Sequence, residues 1–364
     1  MNTFAYVFPA IRGVQAQREY YVAMCPLGLI PRLFLFDEEE LAPEFRAQRR
    51  LNRNRVPEMA RYVVENPNTY AFSAITASVD GEVQFIPADP DRLDSIGTLH
   101  VPMSAQFVLN DGQHRRAAIE RALATRPELE KETIAVVFYM DQGLKRCQQL
   151  FADLNRHSVR PTRSLGLLYD HRDEHAELMR AVVGESPLFR DLVEMERSSL
   201  SARSRKLFTL SALYNATESL LHDLPDRTPS EWVTLAREFW EAVAEHMPEW
   251  LEVRKRNMSA SEVRQDFIHS HGIVLQAIGR AGNSLLRDTP DAWAQRLPGL
   301  KNVDWSRGNA ELWEGRAMIG GRVSKAGNNV TLTTNVVKRA LGLDLAPEER
   351  RVEEAYSRAD LRRS

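Results

Sequence analysis

Cysteine is scarce in this chain: 364 residues hold two, Cys25 and Cys147. Two thiols cannot build the disulfide framework of a small secreted scaffold, so a reducing cytoplasm is the expected setting. Long apolar runs are also missing. No stretch approaches the roughly 18 residues a membrane span needs. The opening "MNTFAYVFPAIRG" lacks the charged start and long apolar segment of a signal peptide. Nor is there an excess of positive charge, since 48 Lys and Arg face 50 Asp and Glu for a formal net charge of −2. Such a balance gives no global field to attract nucleic acid, so a nucleic-acid binder would have to gather its cations locally. Internal repeats and low-complexity segments are not evident. What is present, 43% apolar and 27% charged residues, is an ordinary soluble globular composition. The length suggests two domains.

The first 140 or so residues mix strand and helix patterns. "FAYVFPAI" and "EYYVAMC" are aromatic and β-branched, as strands are. Val56, Met59, Ala60, Val63 and Val64 fall at helical spacing, and Pro67 ends that helix. "YAFSAITASVDGEVQFIP" alternates around Asp80-Gly81, which predicts a hairpin. "TLHVPM" and "AQFVLN" add short strands, and "TIAVVFYM" suits a buried one. From Gln142 onward the segments are amphipathic helices with Pro and Gly between them. A domain change is placed at residues 155–165, giving an α+β domain over 1–160 and a mostly α-helical domain over 161–364.

The densest chemistry lies in "VLNDGQHRRAAIERAL". A strand ends at Leu109, Asn110-Asp111-Gly112 turns, and a helix starts at Gln113. Glycine permits a backbone that a Cβ would obstruct. The helix start exposes unpaired N–H groups with partial positive charge. His114, Arg115 and Arg116 crowd that same end. Cations there oppose the helix dipole unless an anion sits among them, and phosphate is the obvious candidate. The plainer alternative is that Asp111 caps the helix and the arginines are solvated.

"DGQHR" is the signature of the DGQHR-domain proteins, and the chain more widely resembles the DndB family of regulators of bacterial DNA phosphorothioation. The resemblance is carried by "FPAIRGVQAQREYYVAMCPLGLIPRLF", "RAQRRLNRNRVPEMARY", "FSAITASVDGEV", "NDGQHRRAAIERAL", "QLFADLNRHSVRPT" and "RSRKLFTLSALY". These span most of residues 4–215, with little beyond about residue 220. It implies a ParB/sulfiredoxin-like N-terminal domain, in which Gly112, His114 and Arg115 match the turn that holds nucleotide phosphates. ATP with Mg²⁺ is the implied ligand, with slow hydrolysis. Sulfiredoxins carry a catalytic cysteine where this chain has Gln113, which argues against thiol chemistry at the turn. Asn155 and Arg156 resemble the second phosphate-contacting element, although Asn155 also suits a helix C-cap. Arg53 and Arg55 could reach phosphate or form a solvated helix face. Asp111 or Gln113 would orient the attacking water or Mg²⁺.

Three stretches are locally basic: Arg46, Arg49, Arg50, Arg53 and Arg55; Arg197, Arg203, Arg205 and Lys206; and Arg316, Arg322, Lys325, Lys338 and Arg339. The last two have no acid between their cations, and each precedes an amphipathic helix, as in helix-turn-helix elements. Arg203, Arg205, Lys206, Arg322 and Lys325 are the candidate DNA contacts; the alternative for any one stretch is a solvated face. The resemblance implies a transcriptional repressor of its own modification operon, bound to double-stranded promoter DNA and modulated by nucleotide. DNA phosphorothioation enzymes are further candidate partners, and a homodimer is expected on a palindromic site. Two other readings stay open: a nucleotide hydrolase or DNA-nicking enzyme, and a pure interaction module. Cys25 is a candidate sulfur-sensing thiol or a small buried hydrophobe. Cys147 reads as core. "HRDEH" at 171–175 spells a zinc-peptidase pattern that would need His171 and His175 on one helix face, with no third ligand evident. "HSH" at 269–271 is a weaker metal signal still.

Overall fold

A computed structural model of the chain describes residues 4–34, 51–140, 144–156 and 161–360. It is an α+β protein that divides into two compact units, Met1–Val159 and Arg160–Ser364.

The first unit is built on seven strands: β1 (Ala5–Gln15), β2 (Arg18–Pro26), β3 (Ile75–Asp80), β4 (Gln84–Asp89), β5 (Leu93–Pro102), β6 (Gln106–Asp111) and β7 (Thr133–Met140). Its described helices are α1 (Ile30–Leu33), α2 (Val56–Glu65), α3 (Gln113–Thr125) and α4 (Leu144–Arg156). The sheet order is β4-β5-β1-β2-β7-β3-β6, antiparallel except for the parallel β3–β7 pair. Alternation sets the faces. Phe8, Ala10, Tyr21, Ala23, Cys25, Val136 and Phe138 point into one core, where Ile119 and Ala122 of α3 meet them.

The expected hairpin at Asp80-Gly81 does not form. β3 pairs with β6 and β7, while β4 pairs with β5 at the far side of the sheet. The Asp-Gly turn bends the chain without fixing which strands pair. The two strands also differ in pattern: β3 is buried at Ile75 through Val79, as a central strand must be, and β4 alternates as an edge strand.

The second unit is mostly helical. Its helices are α5 (Arg163–Tyr169), α6 (Glu174–Glu185), α7 (Leu210–Leu221), α8 (Pro229–Ala244), α9 (Pro248–Arg254), α10 (Ala260–Asp266), α11 (Gly272–Asp288), α12 (Ala310–Trp313), α13 (Asn329–Ala340) and α14 (Pro347–Asp360). Two-stranded pairs interrupt them: β8 (Val193–Glu194) with β9 (Phe208–Thr209), and β10 (Met318–Ile319) with β11 (Arg322–Val323). Trp240, Trp250, Trp313, Phe189, Phe208 and Phe239 are fully buried in its core. α7 and α11 cross closely at Gly279, where an added Cβ would lie 2.1 Å from the carbonyl oxygen of Ala216.

The helix-turn-helix expectation fails here. α7 buries eight of its twelve residues. α13 buries seven, including Asn335 and Lys338. A recognition helix must lay a polar face in the major groove, and these two helices spend their faces on the core.

Candidate phosphate corner and nucleic-acid interface

At the edge strand β6 the chain turns through Gly112, at φ +112°, into α3. An added Cβ there would lie 2.9 Å from Ile75 Cγ1, so both conformation and space call for glycine. No side chain caps the helix start, and its N–H groups are left for another acceptor. Arg115 Nη2 donates to Asp111 Oδ2 at 2.5 Å, and Nη1 donates to Ser73 Oγ at 2.6 Å. Its Nε is buried without a partner. Asp111 is 45% exposed against 17% for Arg115, so the pair opens toward solvent on its acidic side. The Asn52 N–H donates to His114 Nε2 at 3.0 Å. That fixes His114 as an acceptor at Nε2 and ties the segment ahead of α2 to the corner.

Gln113 turns inward: it is buried, with Nε2 donating to the Leu109 carbonyl at 3.5 Å. Beneath the turn, Asn110 is fully buried and donates to Ser78 Oγ at 2.7 Å. Arg116 is structural. Its Nε donates to the Phe34 carbonyl at 2.9 Å and its Nη2 to the Pro31 carbonyl at 3.0 Å, with Glu120 pairing Nη1. The corner thus unites Asn52, Ser73, Asp111, Gly112, His114 and Arg115. α4 packs beside β6, and Arg156 at its end is exposed. The Asn155 side chain, Arg46, Arg49 and Arg50 lie outside the described residues, and Arg53 and Arg55 form an exposed turn before α2.

In the second unit Arg203 and Arg205 line a cavity of about 670 Å³ together with Arg190, Arg254 and Arg256. All five arginines are exposed, and Asp191 is the one acid on the cavity wall. Sequence reasoning found only Arg203 and Arg205. Arg190 comes from the loop before β8, and Arg254 and Arg256 from the end of α9 and just beyond it, about fifty residues further along the chain than Arg203 and Arg205; no local signal marks them. Lys206 lies beside this wall with Nζ donating to the Asp191 carbonyl at 2.9 Å. The loop 201–206 is held from behind by Arg264, whose guanidinium donates to the carbonyls of Ser201, Ala202, Ser204 and Lys206.

The third basic stretch is divided. Arg316 forms a two-pronged buried pair with Glu353 at 2.8 and 3.0 Å and lies over the Tyr356 ring at 4.3 Å. Arg339 also pairs with Glu353, and Lys338 with Glu349. The acids missing from the stretch itself come from α14, so these three cations are structural. Arg322 remains exposed on the β10–β11 hairpin. Lys325 reaches the start of α11, its Nζ 3.3 Å from where a Cβ on Gly272 would be.

The remaining candidates are core residues. Cys25 is fully buried, and burial pushes its thiol up to about 12. It stays protonated at neutral pH, the setting of an inert cysteine and not of a sulfur sensor. Cys147 is buried too. In "HRDEH", Asp173 caps α6 through the Ala176 N–H, which leaves His171 outside the helix that holds His175. His269 accepts from Trp250 Nε1 at 2.9 Å and sits 3.1 Å from Glu249. His271 contacts the Arg264 carbonyl at 3.1 Å. Among the described residues no group of three or more His, Cys, Asp or Glu could hold a metal ion.

Fold and site together define a two-unit α+β protein that carries an arginine-lined surface despite a near-neutral charge. More narrowly, the chain belongs to the DndB family, described as DNA-sulfur modification-associated, whose model matches residues 8–344. No curated protein and no solved structure matches it. Involvement in DNA sulfur modification follows from that membership. Among the described residues no helix is long and apolar enough to cross a membrane.

Proposed function

We propose that the chain is a DNA-binding regulator within DNA sulfur modification: a repressor that grips promoter duplex through its second unit and responds to nucleotide at the Asp111–Arg115 corner. The observation that carries this reading is the gathering of Arg190, Arg203, Arg205, Arg254 and Arg256 around one concavity with a single acid. Guanidinium groups gathered in this way suit the phosphate oxygens of a backbone, and Arg322 on its exposed hairpin offers the same chemistry.

At the corner, the uncapped start of α3 and the unpartnered Arg115 Nε fit a phosphate group. These features support the ParB/sulfiredoxin-like reading of the first unit. ATP with Mg²⁺ would supply an anion and its counter-charge. Gly112, His114 and Arg115 would hold the phosphates, and Asp111 would face the cation or the attacking water while Gln113 positions the turn from below. Asn155 and Arg156 would supply the second phosphate contact.

The test is promoter binding by anisotropy, with and without ATP. Arg203→Ala/Arg205→Ala is expected to weaken binding at least tenfold. His114→Ala and Arg115→Ala are expected to remove the response to ATP and leave nucleotide-free binding intact. Unchanged affinity in the first variant moves the DNA surface elsewhere, and an ATP response surviving in the others moves the nucleotide. The nicking or hydrolase reading has no specific observation in its favour.

We also propose a homodimer. Val7, Ile11, Met24, Ile86 and Ile96 are all 43–54% exposed on strands of one sheet, an apolar set that a second copy of the chain would cover. Light scattering showing a monomer at micromolar concentration would sink that assignment.

A further inference from the structure

The second unit holds another cavity, of about 640 Å³, at the start of α11. That volume is in the range of small-ligand sites, roughly 300–1,000 Å³. None of its lining residues is an acid. Arg307 and Lys325 both line it, and neither has an ion pair among the described residues. Arg264 is also on its wall but is committed to the loop carbonyls. α11 is seventeen residues long, and the side chain of His271 at its cap position makes no hydrogen bond to the helix start, its Nε2 lying instead against the Arg264 carbonyl. Its positive end therefore opens on the cavity with no side chain capping its first N–H groups.

Two buried polar atoms on the wall lack partners. Ser270 is 5% exposed, and its Oγ has no hydrogen bond; Arg307 Nε has none either. A buried hydroxyl and a buried guanidinium N–H left unsatisfied cost stability unless something fills the site. Burial lowers the Lys325 ammonium from its usual range, and Arg163 nearby lowers it further. A bound anion would relieve that repulsion.

We propose that this cavity binds the terminal phosphoryl group of a small phosphorylated ligand of nucleotide size, held by Lys325, Arg307, Ser270 and the start of α11. A terminal phosphoryl offers three free oxygens to the donors gathered here, whereas a duplex backbone phosphate carries a sugar on two of its oxygens and offers only two. The cavity also touches the back of the loop that carries Arg203 and Arg205, since Ser198, Ser199 and Ala202 line it. Occupancy would thus be felt behind the arginine surface.

Titration calorimetry on the full chain tests this with inorganic phosphate and with AMP. Both are expected to bind wild type, to keep one binding event when the corner is disabled by Arg115→Ala, to bind Lys325→Met at least tenfold more weakly at that remaining site, and to recover in Lys325→Arg. Lys325 has no ion pair among the described residues and Lys325→Arg keeps the charge, so a loss confined to Lys325→Met reads the charge and not the fold. Ser270→Ala should weaken phosphate severalfold. Equal binding by wild type and Lys325→Met overturns the proposal. So does loss confined to Arg115→Ala, which would put the phosphate at the corner instead. If neither probe binds and Lys325→Met weakens only duplex DNA, the phosphoryl group belongs to DNA and the small-ligand assignment is wrong. The DNA reading stands or falls separately, on Arg203 and Arg205.

Discussion

Arg115 and Arg116 are neighbours with opposite surroundings, and the difference is one of burial. Arg116 sends its guanidinium under the chain to the carbonyls of Pro31 and Phe34. Removing it leaves one buried and one partly buried carbonyl without that donor. Arg115 meets a half-exposed carboxylate and a serine, and water can replace it at both. Arg116→Ala is therefore expected to cost about 2–4 kcal/mol in urea unfolding, and Arg115→Ala less than about 1.5 kcal/mol. Equal losses would mean that the corner's Arg115 is a structural group too. Sequence alone could not rank the two, because helix spacing places both at the same end of α3 and says nothing of where residues 31–34 return.

At the scale of elements, the strand–glycine–helix corner was legible because every part of it is local. A strand end, a residue needing positive φ and a helix start follow one another within a few positions. The sheet order was not legible. Asp80-Gly81 carries the right turn chemistry, yet the register of β3 is set by β6 and β7, which enter the chain later. The docking of α14 was hidden for the same reason: Arg316 and Glu353 lie 37 residues apart. That pair gives an acid-sensitive element. Burial raises the Glu353 carboxyl, but hydrogen bonds from Arg316 and Asn335 and the charges of Arg316 and Arg339 outweigh it, and the net shift is downward. A carboxylate depressed in the folded state stabilises fully above its ordinary value near 4.5, and that contribution is lost as pH falls through the folded value. Glu353→Gln should cost about 3 kcal/mol at pH 7, since it strands a buried guanidinium. The gap from wild type in denaturant midpoint should shrink as the pH is lowered toward 3. A gap that stays constant with pH would show that Glu353 acts by shape and not by charge.

For the whole molecule the governing fact is a net charge of −2. With no general positive field, association with DNA gains little from long-range steering. Affinity must come from contacts inside a Debye length of about 10 Å at 0.1 M salt, which only a local cluster can supply. Each phosphate neutralised releases counterions and contributes about −0.9 to the slope of log affinity against log salt. If Arg203 and Arg205 each neutralise one phosphate, replacing both with alanine should flatten the slope by about 1.8. Replacing Arg190, Arg254 and Arg256 as well should flatten it further by up to about 2.7. The slope separates two explanations that a single affinity cannot. A variant that binds weakly with the wild-type slope has lost its fold or its base contacts, and one that binds weakly with a flatter slope has lost phosphate contacts. The arginine concavity is the DNA surface only if the second outcome is found.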